Sequence, residues 1–481
     1  MNAPAGARTS CAPTPQQPGL TVRISPINTA PSTGTTPSHP VEPLWWPAPF
    51  AAAPLDATVL VPASKSLTNR YLVLAALASS PSTIHNTLIS RDTELMLDAL
   101  AAFGVALERT VQADGSTTVH VVPPARLSAG PLQVQCGLAG TVMRFVPALA
   151  AVAGAQARFD GDAAARVRPM APVLDALAEL GAVFTYHGTP GMLPFTMDAR
   201  QLEAGAAVQI DGSASSQFIS ALLLAGPALP GGLRLRAAQG PLASPDHIAM
   251  TVATLRELGA VLEVDADGRG WHVQPRPIAG FTVTVEPDLS NAGPFLAAAL
   301  ATRGVVRVPF WPAATTQVGG KWVQILAAMG AEVSLGADSV LTVRGTGPIR
   351  GIDYADASEL APTLAALCAL ADSPSRLTGI GHLRGHETDR LAALQAELGK
   401  VGAQVQVTGD GLEITPGALR PADLDSYEDH RMATAGALLG LAVDGIRVAD
   451  IATTSKTMPD FPAQWAAMAA TAAGAAEQGA R

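Results

Sequence analysis

The sequence predicts an α/β protein of two globular domains, each built from three units related to a βαβαββ arrangement. Three observations predict it. A helix ending in Gly and followed by a strand recurs at Leu97–Arg109, Leu174–Tyr186, Val252–Val264 and Val323–Leu335, and in stretched form at Leu391–Val407. A longer pattern recurs six times: a polar cluster, an Ala/Leu-rich helix, a small-residue turn and a strand. Its helices begin near Arg70, Arg144, Gln217, Ala292, Leu360 and Arg431, in steps of 74, 73, 75, 68 and 71 residues. That period exceeds the roughly 20–50 residues of simple solenoid repeats. Glycine fits the helix ends because it accepts the left-handed conformation that closes a helix.

The totals exclude several functions. With a net charge of −9, the chain lacks the cation excess that covers nucleic-acid phosphates. Cys11, Cys136 and Cys368 are an odd, scattered set with no metal-ligand or disulfide spacing, which fits a reducing cytoplasm. Apolar stretches such as Val146 to Ala157 are too short and too rich in small residues to span a bilayer. No charged region followed by an apolar one opens the chain.

Residues 1–44 are rich in Pro, Thr, Ser and Ala, with no acid before Glu42, and are expected to be a disordered extension. A transit peptide is the alternative, but two arginines among many prolines make a poor amphipathic helix. Residues 466–481 read as a second disordered tail of Ala and Gly.

The chain is organised around Pro62 to Arg70. The apolar run Thr58–Val61 before it reads as a strand, and Tyr71–Ala78 after it as a helix. Ser64, Lys65 and Ser66 therefore stand at a helix start, with free N–H groups, a positive dipole end and a fixed cation. Such a place holds anions, most often phosphate; the plainer alternative is serine caps beside solvated cations.

Each later helix start carries a comparable cluster. They are Gly137–Arg144, Ser213–Gln217, Asp288–Asn291, Asp356–Glu359 and Asp429–Arg431. Loops between them add Arg168, Ser244, His386–Arg390 and Lys456. If the six starts converge, Lys65, Arg70, Arg144, Arg168, Arg390, Arg431 and Lys456 share one site. Each cation beside a phosphate contributes about 4 kcal/mol gross at an effective dielectric near 20, before desolvation. So much positive charge in an acidic protein calls for ligands with several negative charges. Glu359 and Glu387 among those cations would be ionised and available as bases. The pattern reads as a transferase acting on two anions. Taken singly, Arg144 fits a structural ion pair equally well, and His430 a structural histidine.

Taken together, these residues resemble the 5-enolpyruvylshikimate-3-phosphate synthases, a family of enolpyruvyl transferases. The likeness spans about residues 45–465. It rests on Ser64-Lys65-Ser66-x-x-Asn69-Arg70, Ala139-Gly140-Thr141-x-Met143-Arg144 and Ser215-Ser216-Gln217-Phe218. It continues with Glu387-Thr388-Asp389-Arg390-Leu391, Asp429-His430-Arg431-Met432-Ala433 and Ser455-Lys456-Thr457-x-Pro459-Asp460.

The resemblance implies pseudo-threefold symmetry in each domain, an inside-out α/β barrel, and two crossings between domains. From the motif positions, residues 45–63 with 287–465 form one domain and 64–286 the other. It implies a reaction between phosphoenolpyruvate and shikimate 3-phosphate that releases phosphate and needs no metal or organic cofactor. Lys65, Gly140, Arg168, Gln217, Arg390, Arg431 and Lys456 would face phosphoenolpyruvate. Lys65, Ser66, Arg70, Ser215, Ser216, Gln217, Ser244, Glu359 and His386 would face shikimate 3-phosphate. Glu359 would accept the hydroxyl proton, with Asp356 as the fallback. Lys65 and Glu387 would move a proton at C3, and His430 joins the catalytic set. The partners are these small molecules, with no nucleic acid or membrane, and the chain is expected to be a cytoplasmic monomer.

Several positions depart from the commonest family pattern: Ala63 for Gly, Leu138 for Asn, Phe145 for Pro, Glu359 for Asp and His386 for Lys. The His386 change predicts that shikimate 3-phosphate binds more weakly as pH rises. Gly140 leaves room for glyphosate, which shares the charge pattern of phosphoenolpyruvate. The sister transferase acting on UDP-N-acetylglucosamine normally carries a reactive Cys in the loop that here reads Asp162–Arg166, where none stands. A non-catalytic anion-binding protein is the other alternative, and the joint presence of Glu359, Glu387 and Lys65 speaks against it.

Overall fold

Six central helices carry the architecture: Lys65–Ala76, Gly140–Ala153, Ser216–Ala225, Leu289–Thr302, Ala361–Ala369 and His430–Ala442. All six are buried along nearly their whole length, so they read Ala/Leu-rich all round rather than on one stripe. The first three pack on one another, as do the last three. The computed structural model describes residues 21–24, 44–202, 205, 207–385 and 387–479.

The core is double. One apolar cluster runs from Ala63 to Val285. The other combines residues 48–59 with Leu289 to Ala472. Around each lie three small sheets. In the unit of Leu132–Gln135, Gln156–Asp160, Val183–Tyr186 and Phe195–Asp198, the first two strands pair in parallel. The fourth pairs antiparallel between the second and third. The unit from Ala207 to Val273 repeats this order, as does that from Asp353 to Thr415.

Two units are completed by strands from beyond a crossing. Asp56–Thr58 pairs in parallel with Val305–Val308. Thr282–Thr284 pairs in parallel with Ser82–His85. The crossings lie side by side: Ser64 N–H donates to Glu286 O at 2.8 Å, and Asp288 N–H donates to Pro62 O at 2.8 Å. Pro62 and Pro287 have no N–H to extend this pairing, so the two connections stay a narrow two-strand neck.

The five recurrent glycines, Gly104, Gly181, Gly259, Gly330 and Gly402, all hold φ between 84° and 114°. Three expectations differ from the structure. The first strand is Asp56–Thr58 rather than Thr58–Val61; Val59 N–H still bonds Arg307 O at 2.8 Å before the chain leaves for the neck. The Ala/Gly tail is helical, within Phe461–Gly479, because alanine is the strongest helix former and Trp465, Met468, Ala469 and Ala472 bury one face. Within the expected extension, Thr21–Ile24 adds an antiparallel strand against residues 107–110; the rest of it up to residue 43 lies outside the described residues. Among the described residues, no helix is long and apolar enough to cross a membrane.

Candidate active site

Five of the six helix starts line one cleft between the two lobes, and the fourth reaches Glu359 beside it through Ser290. Ser64 caps the first helix, its Oγ accepting from Leu67 N–H at 3.4 Å. Ser215 caps the third through Gln217 N–H at 3.3 Å. Asp288 and Asp429 cap the fourth and sixth through Asn291 and Arg431 N–H, at 3.0 and 2.9 Å. Capping fixes where Lys65, Ser66, Ser216, Gln217, His430 and Arg431 begin their helices, and hence their aim.

Five basic side chains line the cleft: Lys65, Arg144, Arg168, Arg390 and Arg431. Glu359 and Glu387 are the carboxylates that line it with them. Gly140, Ser66, Ser215, Ser216, Gln217, Ser244 and His430 complete the part foreseen in the sequence. Lys456 reaches the same site from an adjoining cavity, its Nζ 2.8 Å from Glu387 Oε1.

Charge is balanced unevenly. Arg390 is held by Asp429, with Nε to Oδ2 at 2.7 Å, and by Glu387 at 2.9 Å. Lys65 Nζ lies 3.0 Å from the buried Asp92 carboxylate. Burial alone would raise the Glu387 carboxyl, but Lys456, Arg390 and Arg168 outweigh it and hold Glu387 well below the carboxylate range. On the other wall, burial and the neighbouring Arg168 push the Arg144 guanidinium below its ordinary value. Arg168 Nε is buried without a hydrogen-bond partner. An anion seated between Arg144, Arg168 and Lys65 would offset this excess of positive charge.

Glu359 is the second ionised acid. Burial would raise it, but His247, Arg431 and Ser290 together hold it well below the carboxylate range. Asp356, the fallback for its role, is exposed and does not line the cleft. Neither ring nitrogen of His430 has a hydrogen-bond partner. Burial and then Arg431, Lys65 and Lys456 push its pKa well below 6.5, so the imidazole is neutral.

Arg70 differs from the rest. It lies beneath the floor of the cleft, donating to Ser66 O at 2.9 Å, His247 O at 3.0 Å and Thr251 Oγ1 at 2.8 Å. The ring of Phe145 packs against it, 5.6 Å from the guanidinium carbon, which gives this departure from the family pattern a structural place. His386 lies outside the described residues, between Gly385 and Glu387 of the cleft wall.

Sequence reasoning missed His247, whose Nε2 lies 2.6 Å from Glu359 Oε2. Its signal was Ser244-Pro245-Asp246-His247, a serine and proline opening a helix with the histidine one turn on. It also missed Asp92, which nothing in the local sequence distinguishes from a helix-start acid.

Side chains from both lobes touch across the cleft. Besides His247 and Glu359, Ser244 Oγ lies 2.8 Å from Ser358 Oγ, and Lys321 Nζ lies 2.8 Å from Asp246 Oδ2. Ser244 and Ser358 both hold left-handed φ, at 43° and 49°. Non-glycine residues hold such angles where the surroundings enforce them, as functional sites do.

Comparison with known proteins decides the family. The family model of EPSP synthase (3-phosphoshikimate 1-carboxyvinyltransferase) matches residues 50–465. The chain belongs to the EPSP synthase family. Among curated relatives, the 3-phosphoshikimate 1-carboxyvinyltransferase of Kocuria rhizophila is 54% identical over 439 residues, covering 89% of this chain and 97% of the relative. That of Bifidobacterium longum is 51% identical over 436 residues, covering 88% and 98%. Solved structures share the fold. The EPSP synthase of Acinetobacter baumannii matches with a TM-score of 0.70 at 24% identity, over 87% of this chain and 96% of that one. The enolpyruvyl transferase NikO of Streptomyces tendae matches with a TM-score of 0.65 at 21% identity, over 89% and 98%.

Proposed function

We propose that this chain transfers the enolpyruvyl group of phosphoenolpyruvate to the 5-hydroxyl of shikimate 3-phosphate and releases phosphate. The observation that carries this reading is the meeting of Lys65, Arg168, Arg390 and Arg431 with Glu359 and Glu387 in one cleft. Holding two polyanions side by side removes the entropy cost of their encounter, and the cations offset their repulsion.

Phosphoenolpyruvate lies against Lys65, Gly140, Arg168, Gln217, Arg390, Arg431 and Lys456. Shikimate 3-phosphate lies against Ser66, Ser215, Ser216, Gln217, Ser244 and His386, with Lys65 and Glu359 toward its reacting hydroxyl. Arg70 supports this side from below by holding the carbonyl of Ser66. The 5-hydroxyl gives its proton to Glu359 as its oxygen bonds to C2. Lys65, beside the ionised Glu387 and the neutral His430, gives a proton to C3 as the C2–C3 double bond opens. The tetrahedral adduct then expels phosphate and returns that proton. The proposed working state is the monomer, acting in the cytoplasm.

Product analysis by nuclear magnetic resonance tests the reading. The expected product is an enol ether at the 5-position of shikimate 3-phosphate. Transfer to UDP-N-acetylglucosamine instead, or binding of both anions without any product, would overturn it.

A further inference from the structure

Glu359 is held from both sides of the cleft. Within its own lobe, Ser290 Oγ donates to Oε1 at 3.0 Å, and Arg431 Nη2 lies 3.5 Å from the same oxygen. Oε2 faces the other lobe, 2.6 Å from His247 Nε2. Glu359 is ionised, so Nε2 carries the hydrogen and donates it. His247 sits in the first turn of the Pro245–Glu257 helix. Its carbonyl accepts from Arg70 at 3.0 Å and Thr251 at 2.9 Å, so its backbone is anchored on the far lobe.

We propose that His247 is a positioning residue that aligns the Glu359 carboxylate only when the two lobes meet, so that closure of the cleft completes the proton acceptor. The inference rests on the reading of Glu359 given above. In the step concerned, the O–H bond of the 5-hydroxyl breaks and its proton passes to Glu359. The oxygen electron pair freed in this way forms the bond to C2.

A carboxylate turns easily about its last torsion. Within its own lobe Ser290 holds Oε1 at 3.0 Å, while Arg431 and Ser358 Oγ stand 3.5 Å from Oε1 and Oε2 and grip the torsion weakly; the 2.6 Å donor of His247 on Oε2 fixes it. Ser290, Arg431 and Glu359 share a lobe and travel together, whereas His247 belongs to the lobe that would move away from them. An open cleft therefore presents water with a poorly aligned base, and a closed one presents the hydroxyl with an aligned base. The contacts of Ser244 with Ser358 and of Lys321 with Asp246 lie on the same seam and bring His247 to its place.

The test compares His247→Ala and His247→Gln with the wild-type chain. Turnover per active site, KM for each substrate and the dissociation constant for shikimate 3-phosphate are measured, with thermal melting as a check on folding. Glutamine keeps an N–H donor and lacks the imidazole. The expected result is a fall in kcat of about 30-fold or more in His247→Ala. The dissociation constant changes by less than about threefold, and His247→Gln recovers most of kcat. A kcat within about threefold of wild type in His247→Ala, or an equal loss in both variants, would overturn the inference. Loss confined to substrate affinity would overturn it too, since His247 would then only hold substrate. If His247→Ala does not fold, His247→Gln decides alone: near-normal kcat supports the inference and a large loss defeats it. Wild-type turnover is measured first, because its absence defeats the reading of the whole site rather than this inference alone.

Discussion

Lys456 Nζ lies 2.8 Å from Glu387 Oε1, the lysine buried and the glutamate partly so. Arg390 takes the other oxygen at 2.9 Å. Glu387 is thus an anion clamped between two cations at the site proposed for proton transfer at C3. Replacing it with Gln keeps the shape and removes the charge. The expected outcome is a fall in kcat of about 100-fold or more, the scale of a lost acid–base group. Binding of phosphoenolpyruvate is expected to stay within about threefold, because the cations remain. Rapid-quench turnover and equilibrium titration check the two parts.

Asp429 has a structural duty beneath the same site. It pairs with Arg390 at 2.7 and 3.2 Å and caps the His430–Ala442 helix through Arg431 N–H. Asp429→Ala leaves the buried Arg390 with Glu387 but without its bidentate carboxylate partner, at a cost of up to about 3 kcal/mol, with about 1 kcal/mol more for the cap. Urea unfolding followed by circular dichroism is expected to show an earlier transition. An unshifted midpoint would contradict the geometry.

Gly140 is tight on three sides. A Cβ there would stand 2.8 Å from Arg144 Nη1, 3.0 Å from Gln217 Oε1 and 3.4 Å from Arg168 Nη2. Gly140→Ala is expected to cost about 1–3 kcal/mol in binding at this wall, raising KM for phosphoenolpyruvate about fivefold or more. Glyphosate carries similar charges on a longer frame. It is expected to inhibit the wild type in competition with phosphoenolpyruvate and to lose more affinity than phosphoenolpyruvate in the variant. Inhibition constants from initial rates check this.

The proposed contact of His386 with shikimate 3-phosphate gives a pH signature. An ordinary histidine loses its proton near pH 6.5, a lysine only near 10.4. Binding an anion favours the protonated ring. If the His386 ring holds the substrate anion, affinity for shikimate 3-phosphate is expected to fall as pH rises through the ordinary histidine range. Calorimetric titrations from pH 6 to 9 are expected to show this fall in the wild type and a flatter profile in His386→Ala. Matching profiles would exclude the role.

Much of this was legible in the chain because the fold repeats. Six helix starts at nearly even spacing announced six units, and their polar clusters announced the cleft. Lys65, Gly140 and Arg431 stood in the polar clusters at helix starts, and Arg168 in a loop between them, where fixed cations already implied anions. What stayed hidden was three-dimensional. Arg70 looks like Lys65 in sequence, yet one lies under the floor and the other on it, since their helix faces differ. The contact of His247 with Glu359 joins residues 112 positions apart on opposite lobes, and no local pattern encodes it. The Ala/Gly tail misled for a plainer reason. Its composition resembles a linker, but alanine helices hold when a few large side chains such as Trp465 and Met468 anchor one face.

Phosphate release from the full-length chain with phosphoenolpyruvate and shikimate 3-phosphate tests the central claim most directly. Steady turnover is expected with both substrates together, none with phosphoenolpyruvate alone or with UDP-N-acetylglucosamine, and collapse of turnover in Glu359→Gln. Turnover that is absent in the wild type, or that survives undiminished in Glu359→Gln, would contradict it.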